Sequence, residues 1–239
     1  MQPTDAPDRP RRFYKTVEAA PVETGWGVLL DGRPALTPAR ARLVVPNKAL
    51  ASLAADEWAG QGETIDMRPM PATRLAFTTI DRIVAKRTEI AAEVARYAGS
   101  DLLCYFAEAP SALVERQTQR WGAMLDWAER DLGLVFHRTV GIVHQPQPPE
   151  TVAKVEALAL MLDDFNLAGL AMAAALFGSA VLALALHRDQ LDGEAAFDLS
   201  RLDEEFQVEK WGVDAEAEAR RVHLASEARM LDRWFQALR

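Results

Sequence analysis

The longest apolar stretch of the chain runs from Leu167 to Leu186, twenty residues without one charged side chain. As a helix it would span about 30 Å, which is also the thickness of the hydrocarbon core of a bilayer. The stretch is rich in alanine, and no flanking cluster of lysine or arginine sets a membrane orientation. A helix that is apolar on all sides is also typical of the centre of a helical bundle. We therefore predict one buried helix and a chain that does not span a membrane; a membrane-attached protein that spans the bilayer through this stretch is the alternative.

The chain before this helix has two different spacings of hydrophobic residues. Residues 11–46 alternate as strands do, with a tight turn predicted at Asp31-Gly32, because both turn positions favour positive φ. From Asn47, a good N-cap, apolar residues recur every three or four positions, as in helices. The predicted fold class is α+β, a small N-terminal antiparallel β module followed by a larger α-helical bundle around the buried apolar helix. The expected domains are a disordered lead-in at 1–10, a β domain at 11–46 and an α-helical domain at 47–239.

Charge is unevenly distributed along the chain. The net charge of −8 argues against a nucleic-acid-binding protein. Residues 190–218 carry ten acidic side chains against two basic ones. This segment is interpreted either as a solvated helix face or as an acidic docking surface for a basic partner. Trp211 lies at the end of a predicted helix in this segment and is a candidate interface residue, because tryptophan is favoured in binding hot spots.

Motifs for catalysis and cofactor binding are missing from the sequence. It contains no phosphate-binding loop, no dinucleotide glycine fingerprint and no nucleophile elbow. The four histidines are far apart and lack partners at metal-ligand spacing, and the single cysteine, Cys104, has an apolar setting typical of a buried thiol. We therefore predict no catalytic residue, no cofactor and no metal site. The alternative is a small-molecule enzyme or ligand-binding protein with a site between the β module and the helical bundle.

Seven motifs occur in order along the chain: RRFYK, DGRPALTP, VPN-x-x-LA-x-x-x-A-x-EW-x-x-Q, MP-x-T-x-LA, DLLCY, Q-x-x-x-W and LSRLDEEFQVEKWGVD. In this set and order the chain resembles the assembly chaperones for the α subunit of the soluble head of F-type ATP synthase. The resemblance extends from about Arg11 to Arg239. The chain departs from the family at Gly178-Ser179, where Lys-Ser is often expected, so no function is assigned to that position.

The resemblance implies a non-enzymatic chaperone that holds the unassembled α subunit until it assembles with β. It also implies that the partner-binding residues are Glu57, Trp58, Glu204, Glu205, Gln207 and Trp211. For Trp58, packing in the core is the alternative interpretation. The sequence has neither a signal peptide nor a long organelle-targeting extension, so we expect a protein of the bacterial cytoplasm. We also expect it to be monomeric when free.

Overall fold

The computed structural model of the protein describes residues 9–212 and 214–239, except for the side chain of Trp211. Residues 1–8 of the predicted lead-in lie outside the described residues. The strands are β1 Val17–Val22, β2 Gly25–Leu30, β3 Arg33–Pro34, β4 Val44–Val45, β5 Tyr105–Phe106 and β6 Thr139–Val140. The helices are α1 Lys48–Ala59, α2 Pro71–Thr78, α3 Arg87–Gly99, α4 Ser111–Leu132, α5 Pro149–Leu160, α6 Asp164–Phe177, α7 Ala180–His187, α8 Gly193–Ser200, α9 Leu202–Trp211 and α10 Ala215–Leu238.

The first compact unit contains the described residues up to Arg82 together with Gln236–Arg239. Its sheet is antiparallel: β2 pairs with β1, β3 and β4. The turn between β2 and β3 has φ values of 49° at Asp31 and 75° at Gly32, which confirms the predicted tight turn. Helix α1 packs against β1 and β2. Its N-terminus is capped as predicted, because the Asn47 side chain accepts a hydrogen bond of 2.9 Å from the Leu50 amide.

The second compact unit runs from Ile83 to Phe235. Helix α3 contacts α5 and α6, while α4 and α8 contact α7. Every residue of α7 from Ala180 to Leu186 is buried. The centre of this unit is therefore apolar on all sides, as the alanine- and leucine-rich stretch predicts.

The predicted single helix over 167–186 is wrong in one respect, since the structure divides it into α6 and α7. Gly178 adopts the left-handed conformation with φ 65°, which ends α6. Ser179 then caps α7 by accepting a hydrogen bond of 3.0 Å from the Leu182 amide. At the break, the Leu102 amide donates a hydrogen bond of 3.1 Å to the Gly178 carbonyl, so this backbone acceptor has a partner from a distant segment.

The α+β fold class is confirmed, with a small N-terminal antiparallel sheet followed by helices. Within residues 9–212 and 214–239, no helix has the length and apolar character needed to cross a membrane. The predicted division after residue 46 marks the change from strand to helix. The compact units instead follow contacts, which group α1 and α2 with the strands, and the domain bounds drawn from the sequence stay a prediction.

Candidate partner-binding surface

The six predicted partner-binding residues lie on two helices. Glu57 and Trp58 belong to α1, whereas the remaining four belong to α9. Both carboxylate oxygens of Glu57 accept backbone hydrogen bonds at the start of α2, from Ala72 at 2.8 Å and from Thr73 at 2.7 Å. A carboxylate in this position satisfies the free amides of a helix N-terminus and interacts favourably with the helix dipole. Glu57 therefore stabilises the junction between α1 and α2.

Trp58 is only 6% exposed. Its ring packs edge-on against the ring of Tyr14, with the centroids 5.7 Å apart. The Tyr14 hydroxyl donates a hydrogen bond of 2.8 Å to the Trp58 carbonyl. This burial supports the core-packing interpretation of Trp58, and its role in partner binding stays a prediction.

Helix α9 carries three acids in its first turn, Asp203, Glu204 and Glu205. Negative charge at a helix N-terminus is stabilised by the helix dipole, which explains locally why this acidic sequence is helical. Glu204 forms an ion pair of 2.9 Å with Arg201, one turn earlier. Gln207 is exposed, and the Trp211 side chain lies outside the described residues.

Two neighbouring residues of α4 hold α9 in place. Gln117 is fully buried; it donates a hydrogen bond of 2.7 Å to Asp203 and accepts one of 2.7 Å from the Ala107 amide. Arg116 forms a two-pronged ion pair with Glu209, with N–O distances of 2.7 and 2.9 Å. These contacts fix the acidic helix on the bundle. Sequence reasoning missed both residues, although the Q-x-x-x-W motif begins at Gln117.

The tryptophan of that motif also contacts this region. Trp121 is 1% exposed, and its ring N–H donates a hydrogen bond of 2.9 Å to the carbonyl of Leu199 at the end of α8. Because Gln117 and Trp121 are four residues apart, they lie on the same face of α4. Gln117 is hydrogen-bonded to α9 and Trp121 to α8, so the motif positions the segment that carries the acidic residues.

A cavity of about 800 Å³ lies between α9 and the first half of α10. We call it the α9–α10 groove. Part of its lining is apolar, with Val208, Ala217 and Leu224. Its charged lining consists of five carboxylates and three guanidinium groups, from Glu204, Glu205, Glu209, Asp214 and Glu218 and from Arg201, Arg220 and Arg221.

The pKa of Glu205 differs from that of its neighbours in the groove. Burial and the nearby Asp198 carboxylate raise the pKa of Glu205, and they outweigh the opposing effect of Arg120 and Arg221. By contrast, Glu218 is paired with Arg221 at 2.8 Å, and this pairing lowers the pKa of Glu218. The groove thus holds a half-buried carboxyl group, Glu205, that forms no ion pair within the described part of the chain.

Two ionisable groups of the second unit, the carboxyl group of Asp101 and the thiol of Cys104, are buried in its core. Burial raises the pKa of Asp101 to about 6, and its carboxylate accepts hydrogen bonds from the Leu103 and Val181 amides at 3.1 and 3.0 Å. Cys104 is buried, as predicted, and burial together with Asp101 raises the pKa of its thiol. Among residues 9–212 and 214–239, no group of three or more histidine, cysteine or acidic side chains is arranged to hold a metal ion.

Comparison with known proteins gives one consistent result. Residues 11–129 match the family described as ATP12 chaperone protein. The structure of Atp12 from Paracoccus denitrificans is 40% identical, with a TM-score of 0.90, and the match covers 96% of this chain and 99% of that one. The Atu1473 protein from Agrobacterium tumefaciens is 41% identical over 96% of this chain and 87% of its own, with a TM-score of 0.91. The mitochondrial protein atp12 of Schizosaccharomyces pombe is 25% identical over 215 residues, 84% of this chain and 74% of that protein.

The fold, together with these matches over nearly the whole chain, defines an assembly chaperone. The chain belongs to the ATP12 chaperone family. Members of this family are assembly chaperones for the α subunit of the F1-ATPase, and the resemblance read from the seven motifs is confirmed.

Proposed function

We propose that this protein binds the unassembled α subunit of a bacterial F1-ATPase in the cytoplasm and keeps it from aggregating until it meets β. It acts as a monomer and without catalysis. The observation that carries the proposal is the α9–α10 groove, an acidic surface with an apolar floor on a chain of this family. Glu204 and Glu205, which line the groove, contact the client, and Gln207, Trp211, Glu57 and Trp58 are the further residues that take part in binding.

The physical need for such a partner follows from subunit assembly. Permanent subunit interfaces bury roughly 2,000–5,000 Å² and are more hydrophobic than transient ones. An α subunit without its neighbours therefore exposes an apolar surface of a size that favours aggregation. A chaperone surface that combines apolar contacts with acidic groups can cover part of it and, through its charge, orient the encounter with a basic region of the client.

The test is an aggregation assay of purified α subunit, with and without this protein, followed by gel filtration. We expect suppressed light scattering and a soluble complex that elutes earlier than either protein alone. An unrelated protein of the same net charge is the control, because it separates specific binding from a general charge effect. Unchanged scattering and separate elution of the two proteins would contradict the proposal.

A further inference from the structure

We propose that the α9–α10 groove is the seat of an amphipathic helix of the α subunit, whose apolar face contacts Val208 and Leu224 and whose lysine or arginine pairs with Glu205. This inference rests on the proposed function and specifies which surface of the protein the client occupies and what chemistry it must present.

The dimensions of the groove favour a helical segment. On one side its lining extends from Asp214 to Leu224, which corresponds to about 15 Å along a helix, or three turns. A cavity of about 800 Å³ is within the range of ligand-binding clefts, but this one is open along two helices. Laying one apolar helix face into a groove between two helices is a recurrent mode of peptide recognition.

The apolar floor is accessible. Val208 is 42% exposed on α9, and Leu224 is half-buried across the groove on α10. The residues of α10 from Ala215 to Ala217 are exposed, so its first turn projects away from the core of the bundle. A pair of helices that leaves apolar side chains uncovered between them gains free energy when another apolar face fills the space.

The charges that line the groove favour a positively charged side chain on the client. Two of the three arginines in the groove already pair with its acids, Arg201 with Glu204 and Arg221 with Glu218. Arg116, from outside the groove, pairs with Glu209. Glu205 forms no such ion pair within the described residues. A lysine or arginine of the client can therefore pair with the partly desolvated carboxylate of Glu205, where an ion pair is stronger than on an open surface.

Site-specific cross-linking tests directly whether the client helix binds in the α9–α10 groove. The native Cys104 is buried, so a cysteine introduced as Val208→Cys is the accessible thiol for a photoreactive maleimide. Val222→Cys is the matched control, because Val222 is a 52% exposed valine of α10 that does not line the groove. We expect the label at 208 to cross-link to a peptide of purified α subunit that combines apolar residues with lysine or arginine. The label at 222 should give much less product.

Affinity measurements provide the second arm. We expect Glu205→Gln to raise the dissociation constant for α by about tenfold, whereas Glu216→Gln, outside the groove lining, should change it little. Val208→Asn should raise the dissociation constant by about fivefold relative to Val222→Asn, because it removes the apolar contact between residue 208 and the client. Circular dichroism of each variant confirms that the fold is intact.

The outcomes separate this inference from the proposed function. If wild-type protein binds and protects α but neither the 208 label nor Glu205→Gln differs from its control, the groove is not the seat, and the chaperone role stands. If α is neither bound nor protected, both proposals fail. Cross-links from 208 to a second copy of this chain, in place of α, would also overturn the inference.

Discussion

The side-chain amide of Gln117 donates a hydrogen bond of 2.7 Å to Asp203 and thereby ties α4 to the acidic helix α9. The same side chain accepts a hydrogen bond from the Ala107 amide, so one buried glutamine joins three segments of the second unit. Burial raises the pKa of Asp203, and the hydrogen bond from Gln117 acts in the opposite direction. The acidic surface therefore depends on a neutral residue that is far from it in sequence.

Replacing this glutamine should destabilise the protein. Gln117→Met keeps the side-chain length but leaves the Ala107 amide and the Asp203 carboxylate without their partner, which costs about 2–4 kcal/mol in total. Urea unfolding measures the loss. Gln119→Met, at an exposed position of the same helix, should change the free energy of unfolding by no more than about 0.5 kcal/mol. Equal effects of the two substitutions would contradict the role given to Gln117.

Reversing charge at the start of α9 should weaken partner binding. We expect Glu204→Lys with Glu205→Lys to raise the dissociation constant for α by about tenfold or more at low salt, and the difference to shrink as salt is added. The fold should survive, with a loss of about 1–2 kcal/mol because two positive charges replace acids in the first turn of a helix. Binding is measured by titration calorimetry at two salt concentrations.

The matched control for this variant is Glu194→Lys with Glu216→Lys. Both of these acids also lie in the first turn of a helix, α8 and α10 respectively, but neither lines the groove. The change in net charge is identical in the two double variants. If both weaken binding equally, the effect comes from overall charge and not from α9.

Glu57 should contribute measurably to stability through α2. Glu57→Gln retains one acceptor oxygen and places an amide N–H₂ opposite the second backbone N–H of the helix start. The loss of one charge-assisted hydrogen bond costs about 1–3 kcal/mol. Thermal unfolding of this variant is compared with that of Glu63→Gln, an exposed position of the same unit where we expect almost no change. A Glu57→Gln variant as stable as wild type would remove the capping role.

The buried Asp101 predicts a pH dependence of stability. The pKa of Asp101 is about 6 in the folded protein, whereas the ordinary pKa of an aspartate side chain is 3.8. At a pH between these two pKa values, the folded protein therefore holds a proton that the unfolded chain has released. Its contribution to stability therefore increases as the pH falls from 6 towards 4 and is lost as the pH rises above 6. The full difference is on the order of 3 kcal/mol.

Urea unfolding from pH 7 to pH 4 checks this sign. The free energy of unfolding of wild type, relative to Asp101→Asn, should rise as the pH falls, because the asparagine does not titrate. Asp56→Asn, an exposed aspartate, controls for the remaining carboxyl groups. A difference that is flat, or that falls with decreasing pH, would contradict the prediction.

The contact between α8 and α10 leaves no room for a side chain at Gly193. A Cβ atom there would lie 2.4 Å from the backbone oxygen of Ala228, and backbone cannot move aside as a flexible side chain can. We expect Gly193→Ala to cost about 1–3 kcal/mol through overpacking. Gly99→Ala, in α3, meets no atom within 4 Å and should be neutral or slightly stabilising. Differential scanning calorimetry distinguishes the two.

Local signals in the sequence were sufficient for several elements. Asp31-Gly32 predicts its turn because both residues tolerate positive φ, and Asn47 predicts a helix start because its side chain reaches the Leu50 amide. The seven ordered motifs identify the family, and the acidic composition of residues 190–218 identifies a charged surface. Each of these depends on residues that are close together in the chain, or on their order.

Other features were decided only by tertiary contacts. The apolar pattern of the central stretch is continuous, but the structure ends one helix at Gly178 and starts the next after Ser179, and backbone groups at this break are bound by Asp101 and Leu102, which are distant in sequence. Likewise, the sequence marks Gln117 and Asp203 separately, but their pairing spans 86 positions. The α9–α10 groove arises from the spacing of two helices. By itself the sequence determined the fold class, the acidic segment and the family; the tertiary structure decided where the central helix divides and which residues meet, because packing and burial act between residues distant in sequence.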